Sequence, residues 1–118
     1  MTENVWGYRV TAGRPEGVDL TGYKVEATDG SIGKVDKHSD EVDDAYLVVD
    51  TGAWIFGREV LLPASTVLTV DTQERRIIVD RTRQQIKDAP EFDRDKHLGD
   101  RGHREELGTY YGTGGPHV

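Results

Sequence analysis

The chain has 118 residues, which suits one compact domain with appended tails. It contains no cysteine, which excludes disulfides, thiolate chemistry and cysteine-based zinc sites. Its net charge of −7 lies entirely in residues 1–80, and this sign disfavours nucleic acid as a direct partner. The apolar runs are far shorter than a membrane-spanning helix, and the N-terminus lacks a basic region followed by an apolar one. We therefore expect a cytoplasmic protein with no membrane partner.

Residues 1–19 have no sustained periodicity and are predicted to form an N-terminal arm. Trp6 and Tyr8 alternate with their neighbours there, which fits a short strand or a docking arm. Most apolar residues follow, between Leu20 and Val79, and a core of roughly 60 residues is only marginally stable alone. We expect the tails or a partner subunit to cover part of that core.

Residues 20–80 have the pattern of a β domain, in which short apolar runs alternate with turn signals. Ala45–Val49 is apolar throughout and is predicted to be buried on both faces. Asp29-Gly30 is predicted to form a tight turn, Gly33 a bulge or a close backbone approach, and residues 36–44 an acidic loop. The predicted strands are Tyr23–Ala27, Ser31–Val35, Ala45–Val49, Glu59–Leu62, Thr66–Val70 and Arg76–Val79, with Asp71–Glu74 as the last hairpin loop.

This spacing of strands predicts a mainly β fold, a small closed or partly open antiparallel β-barrel, because closure removes exposed sheet edges. Residues 81–118 are predicted to form a tail of short helices and extended segments. Thr82 with Gln85 three residues later matches a capping box, which predicts a short helix through about Lys87. His103–Leu107 is expected to form one or two helical turns that Gly108 ends at the C-cap.

One motif is typical of an enzyme. Asp50-Thr51-Gly52-Ala53 after two apolar residues is the local signature of retroviral-type aspartic proteases, in which two carboxylates share a proton across a dimer axis. Gly57 follows within a few residues, however, which leaves no room for the flap of such a protease, and Asp-Thr-Gly is also a common turn. We favour the turn and predict no catalytic residue, with a protease built on Asp50 as the alternative.

Metal and cofactor sites are not expected. The acidic stretch lacks the ligand alternation and the central glycine of an EF-hand loop, so we interpret it as solvated. The histidines are scattered, without the i,i+4 spacing beside an acidic residue that a zinc hydrolase helix needs. The acidic residues are Asp36, Asp40, Glu41, Asp43 and Asp44, and the histidines are His38, His97, His103 and His117.

Aromatic residues are the candidates for protein interaction. In Trp54-Ile55-Phe56, strand alternation places Trp54 and Phe56 on one side, where they are either core residues or an interface anchor. Tyr110 and Tyr111 in the tail are predicted to dock on the barrel, on a sister subunit, or on nothing. We name Trp54, Phe56, Tyr110 and Tyr111 as the candidate protein-interaction residues.

Four segments in a fairly specific order resemble a known family. They are Leu20-Thr21-Gly22-Tyr23-Lys24-Val25, Asp29-Gly30-Ser31-Ile32-Gly33-Lys34-Val35, Tyr46-Leu47-Val48-Val49-Asp50 and Arg58-Glu59-Val60-Leu61-Leu62-Pro63. In this order they resemble the PRC-barrel family, and Gln85–Asp93 is similar to the tail of short stand-alone bacterial members, especially actinobacterial ones. The resemblance implies a small, strongly bent barrel that serves as an assembly or docking module and shares no catalytic residues.

We therefore expect a non-enzymatic protein-interaction module, acidic and without cofactors, that binds a protein partner and self-associates as a homodimer. A small-ligand carrier is a weaker alternative, since side chains should fill the interior of a barrel with about six strands.

Overall fold

The structure, a computed structural model, describes residues 5–9, 12–13, 17–41, 44–52, 59–90, 92–93 and 100–113. This part of the chain is mainly β, as the sequence predicts. Its strands are β1 (Lys24–Ala27), β2 (Gly30–Glu41), β3 (Asp44–Asp50), β4 (Glu59–Pro63), β5 (Val67–Asp71) and β6 (Arg76–Val79). A 3₁₀ turn (Ala64–Thr66) connects β4 to β5, and helices α1 (Arg83–Lys87) and α2 (Arg101–Thr113) follow the strands.

The six strands form one sheet in the order β4-β3-β2-β1-β6-β5. Neighbouring strands lie about 4.8 Å apart, so a flat sheet would separate β4 from β5 by about 24 Å. The residues 64–66 that connect these two strands can span only roughly 14 Å. The sheet must therefore curl until its two ends meet at this corner, which gives a partly open barrel.

Strand pairing is antiparallel except between β1 and β6, which run parallel. The sequence predicts an antiparallel barrel throughout, and the β1–β6 pair departs from it. The chain passes through β2, β3, β4 and β5 before it returns beside β1, and a crossover of this length permits parallel pairing.

The barrel bends at Gly33 in β2. Its φ of 152° lies in a region that side-chain-bearing residues rarely adopt, and a Cβ placed there would lie 2.0 Å from the Asp50 carbonyl oxygen. The β1–β2 register also shifts between Val25 and Glu26. This confirms the close backbone approach that the sequence predicts at Gly33.

Side chains fill the concave face of the sheet. Residues from β1, β3, β4 and β6 are completely shielded from solvent there and form one cluster. They are Val25, Leu47, Val49, Leu62 and Ile77.

The outer face of β3 and β4 is also apolar, because Tyr46 and Val48 point away from Leu47 and Val49. These outward side chains are nonetheless buried, together with their partners Leu61 and Pro63 on β4. Trp6 of the N-terminal arm and α2 pack against this face. The prediction that residues 45–49 are buried on both faces is confirmed, and the chain's own tails provide the cover.

The predicted acidic loop over residues 36–44 is wrong. β2 continues to Glu41 and β3 begins at Asp44, with Glu41 paired to Asp44. The charged and polar residues of this stretch are typical of a loop. Pairing with β3 along a long antiparallel ladder nevertheless outweighs their low propensity for a strand. The first hairpin turn likewise lies one residue earlier than predicted, at Thr28-Asp29, because Ala27 pairs with Gly30.

The two helices differ in how well the sequence predicts them. α1 begins at the predicted capping box: Thr82 Oγ1 accepts from the Gln85 N–H at 3.1 Å, and Gln85 Oε1 accepts from the Thr82 N–H at 2.8 Å. The predicted end of the second helix at Gly108 is wrong, because α2 runs on to Thr113. Gly108 instead lies against Trp6, where a Cβ would come within 3.1 Å of the indole nitrogen. Neither of these helices is long and apolar enough to cross a membrane.

Candidate interaction surface

The candidate interaction residues fall into two groups. Trp54 and Phe56 lie outside the described residues, in the segment that joins β3 to β4. Tyr110 and Tyr111 lie on α2 and pack edge to face, with ring centroids 5.1 Å apart. Tyr110 contacts α1 and is partly exposed, whereas Tyr111 is buried in the chain's own core and could reach a partner only if α2 moved away. Their role in an interaction remains a prediction.

Tyr111 is an integral part of the core, with 1% of its surface exposed. Burial raises the pKa of its phenol well above the usual value. Among the residues that the structure describes, none hydrogen-bonds to the Tyr111 hydroxyl. Tyr110 is half-buried, and its hydroxyl donates to the Gln85 carbonyl at 2.6 Å, which ties α2 to α1.

A basic side chain holds the two tails together on the outer face of β3. The guanidinium carbon of Arg104 on α2 lies 5.3 Å from the ring centroid of Trp6 and 4.9 Å from that of Tyr46. The two rings themselves meet edge to face at 6.5 Å. Cation–π contacts of this kind contribute about 0.5–2 kcal/mol. The Trp6 carbonyl also accepts from the Ala45 N–H at 2.8 Å, so the segment around Trp6 docks on the start of β3.

A second contact joins the arm, the end of β6 and α2. The Asp80 carboxylate accepts hydrogen bonds from the Arg9 and Arg81 guanidinium groups, one at each oxygen. Arg81, itself 8% exposed, also donates to the Tyr111 carbonyl near the end of α2. Cations are favourable at a helix C-terminus, where carbonyls lack partners within the helix. Sequence reasoning missed this cluster because Asp80-Arg81 has no local motif.

Asp50, the residue of the protease alternative, lies at the exposed end of β3. Its Oδ1 accepts from the Gly52 N–H at 2.9 Å, and Gly52 adopts a φ of 59°. This is the geometry of a turn in which the Asp side chain bonds to the backbone two residues on. A shared-proton carboxylate pair needs a shielded cleft, whereas this carboxylate is on the outer surface.

The described histidines take part in local polar contacts. His38 Nε2 lies 3.2 Å from Asp19 Oδ1 and accepts from the Leu20 N–H at 3.2 Å. Hydrogen bonds to the carboxylate, first of all from the Thr21 backbone N–H, lower the pKa of Asp19 to about 2. Within the described ranges, His, Asp and Glu residues form no cluster of three or more that could hold a metal ion.

One sheet edge carries an exposed apolar side chain. β5 ends the sheet opposite β4, and the β5–β6 register shifts around Leu68, which is 36% exposed. Bulges at edge strands hinder pairing with another chain, because they twist the edge out of register. Leu68 is therefore better suited to contact by its side chain than by strand addition.

Comparisons with known proteins identify the family. Residues 16–86 match the model of the PRC-barrel domain, whereas no curated protein matches the chain. Among solved structures, the chain is similar to a protein described as the 16S ribosomal RNA processing protein RimM from Pseudomonas aeruginosa. The two share 29% sequence identity with a TM-score of 0.45, and the match covers 52% of this chain and 40% of that one. The chain thus spans less than half of that protein's length. Since the family model covers more than half of the residues, the chain belongs to the PRC-barrel domain family.

Proposed function

We propose that the chain is a non-enzymatic protein-interaction module that self-associates as a homodimer. The observation that carries this proposal is the filled concave face of the sheet, where side chains such as Leu47 and Ile77 are completely buried. A barrel packed in this way offers a partner its outer surface rather than an internal binding cavity. The same packing weighs against a small-ligand carrier.

Trp54 and Phe56 are the proposed anchors of the contact. Two large aromatic side chains only two residues apart are typical of the few positions that dominate an interface. Tyr110 and Tyr111 are proposed to contribute through α2. In this proposal, residues 20–80 form the binding domain, and the arm (1–19) and the tail (81–118) complete its outer face.

The proposed partners are proteins in the cytoplasm, including a second copy of the chain. Nucleic acid is disfavoured because the net charge of −7 repels a phosphate backbone. No observation favours the protease alternative over the turn that Asp50 forms with Gly52.

Light scattering over a range of protein concentrations tests the proposal. We expect the wild-type mass to rise to twice that of the chain, and the Trp54→Ala and Phe56→Ala variants to stay monomeric. Leu68→Ala is the matched control, since it also removes an exposed apolar side chain but lies on the opposite sheet edge. A wild-type protein that stays monomeric at high concentration would exclude the homodimer. Peptide cleavage at acid pH that disappears in Asp50→Asn would instead support the protease.

A further inference from the structure

A row of six charged side chains crosses the outer face of the sheet, one from each strand. Directly paired residues project from the same face of a sheet, with Cβ atoms about 4.5–5.5 Å apart. In each of the five strand pairs, the two residues of this row are direct partners. From the β4 edge to the β5 edge, it consists of Glu59, Asp50, Lys34, Lys24, Arg76 and Asp71.

The charges in this row are sorted by sign rather than alternated. Two carboxylates lie on β4 and β3, and three cations follow on β2, β1 and β6. Like charges directly opposite one another destabilise a sheet, so this order does not serve the barrel's own stability. Lys24 and Lys34 are both exposed, and neither forms an ion pair with any residue in the described part of the chain. Their ammonium groups are accessible to a partner.

We propose that Glu59, Asp50, Lys34 and Lys24, the charged band, form a contact between two copies of the chain. The inference rests on the proposed self-association and adds its geometry. The twofold axis of such a dimer lies in the contact plane, runs along the strands and passes midway between β2 and β3. This axis reverses the order of the band in the second copy. Glu59 then faces Lys24 of the second copy, Asp50 faces Lys34 of the second copy, and the same two pairs recur by symmetry.

A second copy fits the band better than another partner does, because a twofold interface must be complementary to itself. Across the four strands the charges follow the order acid, acid, base, base, and this order is complementary to its own reverse. A second copy of the chain therefore provides the matching charges without any other partner. The aromatic residues proposed as anchors lie in the segment that joins the strands of Asp50 and Glu59. Exposed ion pairs add little affinity, so the band fixes how the two copies are oriented while the anchors provide the binding energy.

Exchange of charges between Lys24 and Glu59 tests this arrangement. Lys24→Glu converts two attractive contacts of the dimer into repulsive ones, so we expect dimerisation to weaken about 30-fold. Glu59→Lys should have a similar effect for the same reason. The double variant Lys24→Glu/Glu59→Lys keeps the wild-type net charge and should dimerise as the wild type does. An equimolar mixture of the two single variants should form a heterodimer, since both of its contacts are again attractive.

Lys87→Glu is the matched control, because Lys87 is exposed on α1 and outside the band. If Lys87→Glu weakens dimerisation as much as Lys24→Glu does, only net charge matters and the band is wrong. If neither Lys24→Glu nor Glu59→Lys affects dimerisation, the band is also wrong, but the proposed self-association stands. A wild-type protein that is monomeric would overturn both proposals. The Lys34→Glu and Asp50→Lys exchange repeats the test at the inner pair. Circular dichroism verifies that each variant is folded.

Discussion

Replacement of Gly33 by alanine tests the account of how the barrel bends. The added Cβ would lie 2.0 Å from the Asp50 carbonyl oxygen and 3.0 Å from the Thr51 Cα. Both are backbone atoms, so they cannot move away without displacing the end of β3. The φ of 152° adds strain of about 1–3 kcal/mol for a residue with a side chain. Displacement of the Asp50 backbone would also break the end of the β2–β3 ladder, at about 1–2 kcal/mol. We expect Gly33→Ala to lower the free energy of unfolding by roughly 2–5 kcal/mol.

Two other glycines separate the contributions of backbone strain and steric overlap. Gly52 has a φ of 59° but no atom within 4 Å of an added Cβ, so Gly52→Ala should cost only about 1 kcal/mol. Gly102 lies in α2 without a positive φ, and its added Cβ would come no closer than 3.4 Å to Asp100 Oδ1. Gly102→Ala should therefore leave stability unchanged or raise it by up to about 1 kcal/mol.

Denaturant unfolding followed by circular dichroism measures all three variants on one scale. The expected order of stability is Gly102→Ala, then Gly52→Ala, then Gly33→Ala. If Gly33→Ala is no less stable than Gly52→Ala, the close approach to Asp50 does not exist and the path of β2 is wrong.

Three further predictions concern the tails and the start of the barrel. Tyr111→Phe should leave the free energy of unfolding unchanged or raise it by up to about 1 kcal/mol, whereas Tyr110→Phe should lower it by about 1 kcal/mol through the lost hydrogen bond; denaturant unfolding of the pair distinguishes these outcomes. Asp80→Ala should cost about 2–3 kcal/mol, because the buried Arg81 guanidinium loses its ionic partner. A thermal midpoint close to that of the wild type would contradict this. The folded pKa of Asp19 lies below that of the unfolded chain, so its stabilising contribution is present above about pH 4 and is lost as the pH falls towards 2. Asp19→Asn should remove this part of the pH dependence, and a carboxyl resonance that titrates near pH 4 in the folded protein would refute the shift.

The strands of residues 20–80 could be predicted because their signals are local. The hairpin between β5 and β6 is an example, since Asp71 Oδ1 accepts from the Gln73 and Glu74 N–H groups at 3.0 Å, and these residues are close in sequence. The capping box of α1 is local in the same way, because it depends only on Thr82 and Gln85. In these two places the residues that form the turn or the cap lie within a few positions of one another, and the sequence predicted the element.

The contacts of the tails could not be predicted, because they join residues that are far apart in the sequence. Arg104 packs on Trp6 from the other end of the chain, and no local pattern pairs them. The extension of β2 through an acidic stretch was missed for a related reason, since its partner strand decides it. At the candidate interface, the sequence suggested four aromatics, but it could not tell that Tyr111 would be buried in the chain's own core.

The tails and the proposed charged band meet on the outer face of β3. Tyr46, Val48 and Asp50 are alternate residues of this strand and project from the same face. The tails that cover Tyr46 and Val48 therefore lie close to Asp50. Tyr46 and Val48 are buried, yet Asp50 remains exposed at the end of the strand. The chain therefore shields from solvent the apolar part of this face, which would otherwise promote non-specific association. What remains accessible is the charged part, and association through charges is selective because it depends on their order.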